Sequence, residues 1–334
     1  MSPLRALASA PVTVLLLALS ACGGGGDGDP GPTPFPTSSN PSDSIPQAER
    51  DAINVVLAGA DWHVGQNNFV FGITDKKDNP QGGATARATF FDLRQSGSPK
   101  PVFTLDAVQS APGVGPETKH THAGGDVHVH GGQDEDRVGY YVAVAFTYAG
   151  FWGVSVEATL ADGTRGVSNI GFQVSEKPSI LGSGARAPKS DNLTKREVSD
   201  LHEIDSGDPP NDMHDVKIKD ALAAGRPLVV VFSTPAFCTS RFCGPVNEEV
   251  EALRDIYKDR VDFVHIEIWK NFDRKELSQA TKEWIVRADG GLTEPWVFAV
   301  DKDGAIYDRW EGPVARNIME ASVKAIAEGK KYSK

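Results

Sequence analysis

The amino-acid sequence predicts a two-part molecule: an all-β sandwich followed by an α/β domain. Between Ala52 and Val174, short runs rich in Val, Phe and Tyr recur between clusters of Gly, Pro, Asn and Asp, the pattern of strands and turns. From about Val216 the pattern becomes alternating helices and strands, the order of a mixed sheet covered on both faces. A stretch rich in Ser, Gly, Pro and Lys separates the two. The predicted bounds are residues 49–176 for the sandwich, 177–200 for a linker and 201–334 for the α/β domain, with no internal repeat.

Two segments precede the sandwich. Residues 1–21 hold one charge, Arg5, and an apolar stretch from Ala10 to Leu19 too short to span a bilayer, which reads as a signal peptide. Residues 22–48 are mostly Gly, Asp, Pro, Ser and Thr, too poor in apolar surface to offset the entropy of ordering, and read as a tether. Loss of residues 1–21 takes the side-chain net charge from -11 to -12. An acidic chain without a basic tract argues against nucleic acid or anionic lipid as its main partner.

Strands are expected at Ala52–Leu57, Phe69–Thr74, Ala86–Phe91, Val102–Leu105, Tyr140–Phe146, Trp152–Ala158 and Asn169–Val174. The α/β part should run helix 216–224, strand 228–232, helix 245–258, strand 261–268, helix 274–287, strands 296–300 and 305–310, and helix 316–327. Asp301-Lys-Asp-Gly304 supplies the turn between the last two strands.

The three cysteines carry most of the chemistry. Leu19-Ser20-Ala21-Cys22 resembles the bacterial lipobox, which implies lipidation at Cys22 and a position in the cell envelope, on the periplasmic side. A disulfide persists in that compartment, so Cys238 and Cys243 read as a dithiol that cycles or locks. Four residues intervene between them, and on a regular helix their side chains would point about 140° apart. A bond therefore needs a non-helical loop, and Pro245 at the first helical position would leave Cys243 just ahead of the helix. A helix N-terminus favours the thiolate.

The strings Val229-Val-Val-Phe232, Ala236-Phe237-Cys238, Cys243-Gly244-Pro245, Thr293-Glu294-Pro295 and Phe298-Ala-Val-Asp-Lys-Asp-Gly304 together resemble the thioredoxin fold over the last third of the chain. The spacing departs from the family's Cys-x-x-Cys. The resemblance implies thiol–disulfide exchange with protein thiols and disulfides, no required cofactor, and a cis-proline at Pro295 whose neighbours Thr293 and Glu294 meet substrate. Counting from the strand end makes Cys238 the nucleophile and Cys243 the resolver, the order we adopt. Counting by Cys243-Gly244-Pro245 reverses it. Glu294 stands where the family more often has a small or β-branched residue, and its carboxylate would oppose the thiolate. Upstream, Gly150-Phe151-Trp152-Gly153-Val154 after Tyr140–Phe146 looks like the late strand pair of small immunoglobulin-like domains.

Three alternatives stay open. Thr234-Pro235-Ala-Phe-Cys238-Thr239 with Cys243 is similar to peroxiredoxins of the bacterioferritin-comigratory type, although Val231 stands where their proline is expected. Copper-delivering thioredoxin-fold proteins use a related cysteine pair plus a histidine, and His265, two from Glu267 on one strand face, is the residue for that part. The third alternative is a binding module with a structural disulfide. Separately, His120, His122, His128 and His130 fall in a His-rich loop at about 117–133. Their His-x-His spacing across Ala123-Gly-Gly-Asp126 offers a four-nitrogen site suited to zinc or copper(II), against a plain solvated insertion.

Overall fold

A computed structural model describes residues 52–94, 99–113, 115–121, 127–132 and 138–333. The segments read as a signal peptide and a tether, with Cys22, and the histidine His122 lie outside the described residues.

Among the described residues the first region holds ten strands: β1 (Ile53–Leu57), β2 (Gly65–Asp75), β3 (Thr85–Asp92), β4 (Pro101–Asp106), β5 (Val108–Ser110), β6 (Gly115–Thr121), β7 (Val127–Gly132), β8 (Gly139–Phe146), β9 (Gly150–Thr159) and β10 (Arg165–Val174). They form two four-stranded sheets, ordered β1-β2-β8-β5 and β10-β9-β3-β4, with β6 and β7 as a separate hairpin. Alternation places Phe69, Phe71 and Ile73 of β2 and Tyr140, Val142, Val144 and Phe146 of β8 against Phe90, Trp152, Val154, Val156 and Phe172 from the facing sheet. This is the expected sandwich. The sequence pattern missed β5, because a three-residue strand carries little apolar signal; the antiparallel pairing of β6 with β7 brings His120 beside His128, as the spacing of the two His-x-His segments leads one to expect.

The second layer set starts from an irregular run. Residues 177–200, read as a linker, pack as a strap: Gly184 and Ala185 bond the backbone of Ile306, Ala187 bonds that of Gly304, and Ser190 and Thr194 are buried. There follow a 3-10 turn at Leu201–Glu203, α1 (Ile218–Ala224), β11 (Leu228–Ser233), α2 (Cys243–Tyr257), β12 (Asp262–Glu267), β13 (Trp269–Asn271), β14 (Glu276–Leu277), α3 (Gln279–Trp284), β15 (Trp296–Val300), β16 (Ile306–Glu311) and α4 (Arg316–Ala327). The main sheet is ordered β12-β11-β15-β16, with β11 parallel to β12 and antiparallel to β15. Leu228, Val230 and Phe232 of β11 face a core shared with α1 and α3, while Val229 and Val231 face one shared with α2 and α4. Burial on both faces explains why β11 reads as an unbroken apolar run.

Two helix expectations change. Helix 274–287 shrinks to α3, capped by Ser278 on Thr281 N–H, because the β13–β14 hairpin takes the first part of that span. Helix α2 begins at Cys243, two residues earlier than expected, which puts Pro245 at its third position, where a backbone N–H would have no helical partner anyway.

Sandwich and α/β layers belong to one compact unit. Arg309 on β16 donates through Nη1 to Asp61 Oδ2 at 2.6 Å and through Nη2 to the Asp61 carbonyl at 3.3 Å, while Asn68 donates to Asp308 Oδ1 at 3.1 Å. Gly312, at φ +74°, lies so near the sandwich that an added Cβ would fall 2.6 Å from the Ala58 carbonyl oxygen.

Candidate redox site

Strand β11 ends at Ser233, and residues 234–242 loop over to the start of α2. Cys238 sits half-buried in that loop; Cys243 is the first residue of the helix and fully buried. The two form a disulfide with a Cα–Cα separation of 6.0 Å. Because residues 239–242 are not helical, the 140° problem of a regular helix does not arise. Arg241 in this loop takes a left-handed conformation at φ +65°.

The polar contacts of the two sulfurs differ. The Cys243 backbone N–H, one of the unpaired donors at the head of α2, points at Cys238 Sγ at 3.3 Å, and Ser240 Oγ is 3.2 Å from the same sulfur. Charge on Cys238 would therefore meet the positive end of the helix. Opposing it is Glu294, whose Oε1 accepts from Thr239 N–H at 3.0 Å and Thr239 Oγ1 at 3.1 Å. The two sulfurs and a Glu294 oxygen all lie within 4.8 Å of one another.

The Glu294–Pro295 peptide is cis, at the entry to β15. Thr293 turns away from the sulfurs: its hydroxyl donates to Glu311 Oε1 at 2.5 Å and accepts Trp296 Nε1–H at 3.0 Å. The other Glu311 oxygen accepts Ala60 N–H at 2.9 Å and Asp61 N–H at 3.3 Å. One buried carboxylate thus ties the loop before the cis-proline to the sandwich. Burial raises its pKa, against hydrogen bonds from Thr293 and the two backbone amides. Beside Cys238, Phe237 is 40 % exposed and stacks on Phe272 at 4.1 Å, with Lys275 Nζ 3.4 Å from the Phe272 ring centre.

His265 is buried on β12, and its partners are Asn211, Ser233, Asn247 and Asp205. Glu294, not His265, completes the group around the sulfurs. Glu267, on the same strand, is also buried and accepts Ser206 N–H at 2.9 Å. Sequence reasoning passed over Asp205, His214, Ser233 and Asn247, which join His265 in a buried polar network. Asp205 and His214 come from irregular chain with no motif spacing, so only their place in the fold marks them. Burial works to raise the Asp205 carboxyl, but His265 and His214 outweigh it and hold it well below the usual carboxylate range.

Of the four loop histidines, His120 and His128 are Cα partners across the β6–β7 ladder, and His130 pairs with Thr118 two positions along. His122 is outside the described residues. A cavity of about 470 Å³ lies at the interface of sandwich and α/β layers, lined by Asp61, Asn68, Tyr141, Asp308, Arg309 and Glu311.

A β-sandwich followed by a mixed sheet with a dithiol at the head of a helix and a cis-proline nearby defines a chain with a C-terminal thioredoxin-like domain. Residues 214–327 match the family model described as Thioredoxin-like domain. No curated protein matches the chain. Among solved structures it is similar to CopC from Methylosinus trichosporium OB3b (14 % identity, covering 36 % of this chain and 94 % of that one, TM-score 0.21). It is also similar to the PKD domain of an M14-like peptidase from a Thermoplasmatales archaeon (13 %, 37 % and 92 %, TM-score 0.20). The soluble domain of PmoD from a Methylocystis species is a third (11 %, 36 % and 90 %, TM-score 0.21). Likeness at these scores carries no argument about function.

Proposed function

We propose that the protein is a thiol–disulfide oxidoreductase of the cell envelope, anchored by lipid at Cys22, whose catalytic pair is Cys238 and Cys243. The observation that carries this reading is the asymmetry of the pair: the accessible sulfur, Cys238, receives the N-terminal N–H of α2, and the other is buried. In the reduced protein the Cys238 thiolate attacks a disulfide of a partner protein, forming a mixed disulfide and expelling one partner thiolate. Cys243, deprotonated, then attacks Cys238 Sγ. The 238–243 bond forms and the second partner thiolate leaves, so the partner is reduced by two electrons and the dithiol oxidised. The same steps in reverse oxidise a partner dithiol. Thr293, Glu294 and Pro295 border the site where an extended partner segment would lie.

Trapping tests this. Cys243→Ser should accumulate mixed disulfides through Cys238, and Cys238→Ser should not. Trapping only in Cys238→Ser would reverse the two roles. If neither variant traps and the bond resists mild reductants, the disulfide is a structural staple. A second reading has its own support: Glu294 lies within 4.8 Å of both sulfurs of the closed disulfide, so that once reduced the two thiolates and the carboxylate would be placed to hold one ion, and copper carriage is the alternative. It predicts metal bound by the reduced protein and lost on oxidation.

A further inference from the structure

Asp205, His214 and His265 stand apart from the dithiol chemistry, with side chains 0 %, 2 % and 0 % exposed. Asp205 Oδ2 is 3.0 Å from His214 Nε2 and 3.4 Å from His265 Nδ1, and the three donor atoms all lie within 4.8 Å of one another. The longer separation exceeds the ~2.7–2.9 Å of a charge-assisted hydrogen bond. It does fit donors sharing one ion: two ligand atoms each ~2.1 Å from a tetrahedral centre are about 3.4 Å apart.

Surrounding hydrogen bonds aim the donors. Met213 N–H donates to Asn211 Oδ1 at 2.9 Å, which turns the Asn211 amide nitrogen toward His265 Nδ1 at 2.8 Å and makes Nδ1 the lone-pair nitrogen. His265 Nε2–H then donates to Ser233 Oγ at 2.8 Å, and the Ser233 hydroxyl donates to Asn247 Oδ1 at 2.6 Å. The carboxylate is oriented by Gly207 N–H on Oδ1 and Asn211 N–H on Oδ2, each at 2.8 Å. Such outer contacts fix the ring and tautomer of a metal-binding imidazole. When His265 is neutral, its Nδ1 lone pair and a carboxylate oxygen of Asp205 face each other at 3.4 Å in the interior, a pairing that favours a cation, proton or metal, between them.

There is also room. A cavity of about 140 Å³ borders Asp205, Asn211 and Asn247, and another of about 300 Å³ borders His214, His265 and Glu267. Either side could admit an ion and a water as fourth ligand.

We propose that Asp205, His214 and His265 form a buried site for a divalent first-row transition ion, of which zinc(II) suits two imidazoles and a carboxylate. On binding, the Nδ1 lone pair of His265 passes from the Asn211 amide hydrogen to the ion, and His214, whose Nε2–H donates to Asp205 Oδ2 at 3.0 Å without the ion, takes the tautomer protonated on Nδ1 so that Nε2 is free to ligate. The ion would clamp the run from Asp205 to His214 onto β12. That run reaches the dithiol loop through Ser206 Oγ, which accepts Ala236 N–H at 3.1 Å.

The test uses the full chain with its disulfide closed and with His120, His122, His128 and His130 all replaced by Ala, so neither thiolates nor the hairpin can ligate. After chelation and reloading with zinc(II), this parent should hold one zinc per chain, with only nitrogen and oxygen scatterers at the zinc edge. Adding His214→Ala or Asp205→Asn should each lower zinc affinity at least about tenfold. Because buried substitutions can impair folding, the parent itself gives a second readout: its unfolding midpoint should climb with free zinc, as for a ligand that binds only the native state. No retained zinc and no shift in midpoint would overturn the proposal. So would sulfur scatterers, or an affinity unchanged by both substitutions. None of these readouts depends on exchange activity.

Discussion

Two residues with opposite effects set the reactivity of Cys238. The helix-end N–H of Cys243 favours its thiolate, and Glu294 opposes it. The expected net result is a thiolate that persists below the reference thiol pKa of about 8.5, read as absorbance at 240 nm against pH on the reduced protein. Glu294→Gln keeps an acceptor for Thr239 and removes the charge, so the Cys238 pKa should fall further. A rise in that variant would mean that the carboxylate acts by ordering the loop. Alkylation of the reduced chain should modify half-buried Cys238 well before fully buried Cys243.

Short elements around the site depend on local chemistry. The six residues of α3 follow a Ser278 cap that accepts Thr281 N–H at 3.3 Å, and Trp284 at its end packs on Phe232 and Phe298. Ser278→Ala should cost about 1 kcal/mol, checked by urea unfolding of the full chain. Loss below a few tenths would assign the helix to the burial of Trp284 alone. Strand β16 does two jobs: Ile306 joins the core shared with α1 and α3 and Trp310 the one shared with α2 and α4, while its polar residues Asp308, Arg309 and Glu311 meet the sandwich. Gly312 ends that strand with a positive φ and a backbone contact to Ala58, so Gly312→Ala should destabilise by about 1–3 kcal/mol in the same assay.

Across the molecule, buried charge couples the two layer sets. Arg309 and Asp61 have side chains 9 % and 3 % exposed, and Arg309→Met would leave the carboxylate unpaired, at an expected cost of about 3–5 kcal/mol in thermal or urea unfolding. Acid should act on the same pair. Burial works to raise the Asp61 carboxyl, yet Arg309 and Ser179 outweigh it and keep it below its ordinary value of 3.8. Its contribution is present above that pH and lost as pH falls through the lower folded value. Glu311 has the reverse sign. Burial raises it above 4.5, so its contribution is complete below that pH and fades as pH rises through the folded value. Relative to the parent, Glu311→Gln should therefore gain stability as pH climbs from 4.5 upward, a trend read from unfolding midpoints at several pH values.

By itself the sequence determined the two-part fold, the β11 strand, the dithiol at the head of a helix and the proline opposite it. Each is written in local pattern: apolar alternation, turn residues, and cysteines just after an apolar run. Tertiary structure alone decided which sulfur meets the helix N–H, since that depends on the path of residues 239–242. It also turned the expected linker into a strap along β16 and cut the helix expected over 274–287 to α3, because distant backbone and the β13–β14 pairing outweigh local propensity there. The Asp205–His214–His265 group was illegible for the same reason: its members come from irregular chain and from a strand, and only the packing of the 205–214 run against β12 brings three polar side chains together.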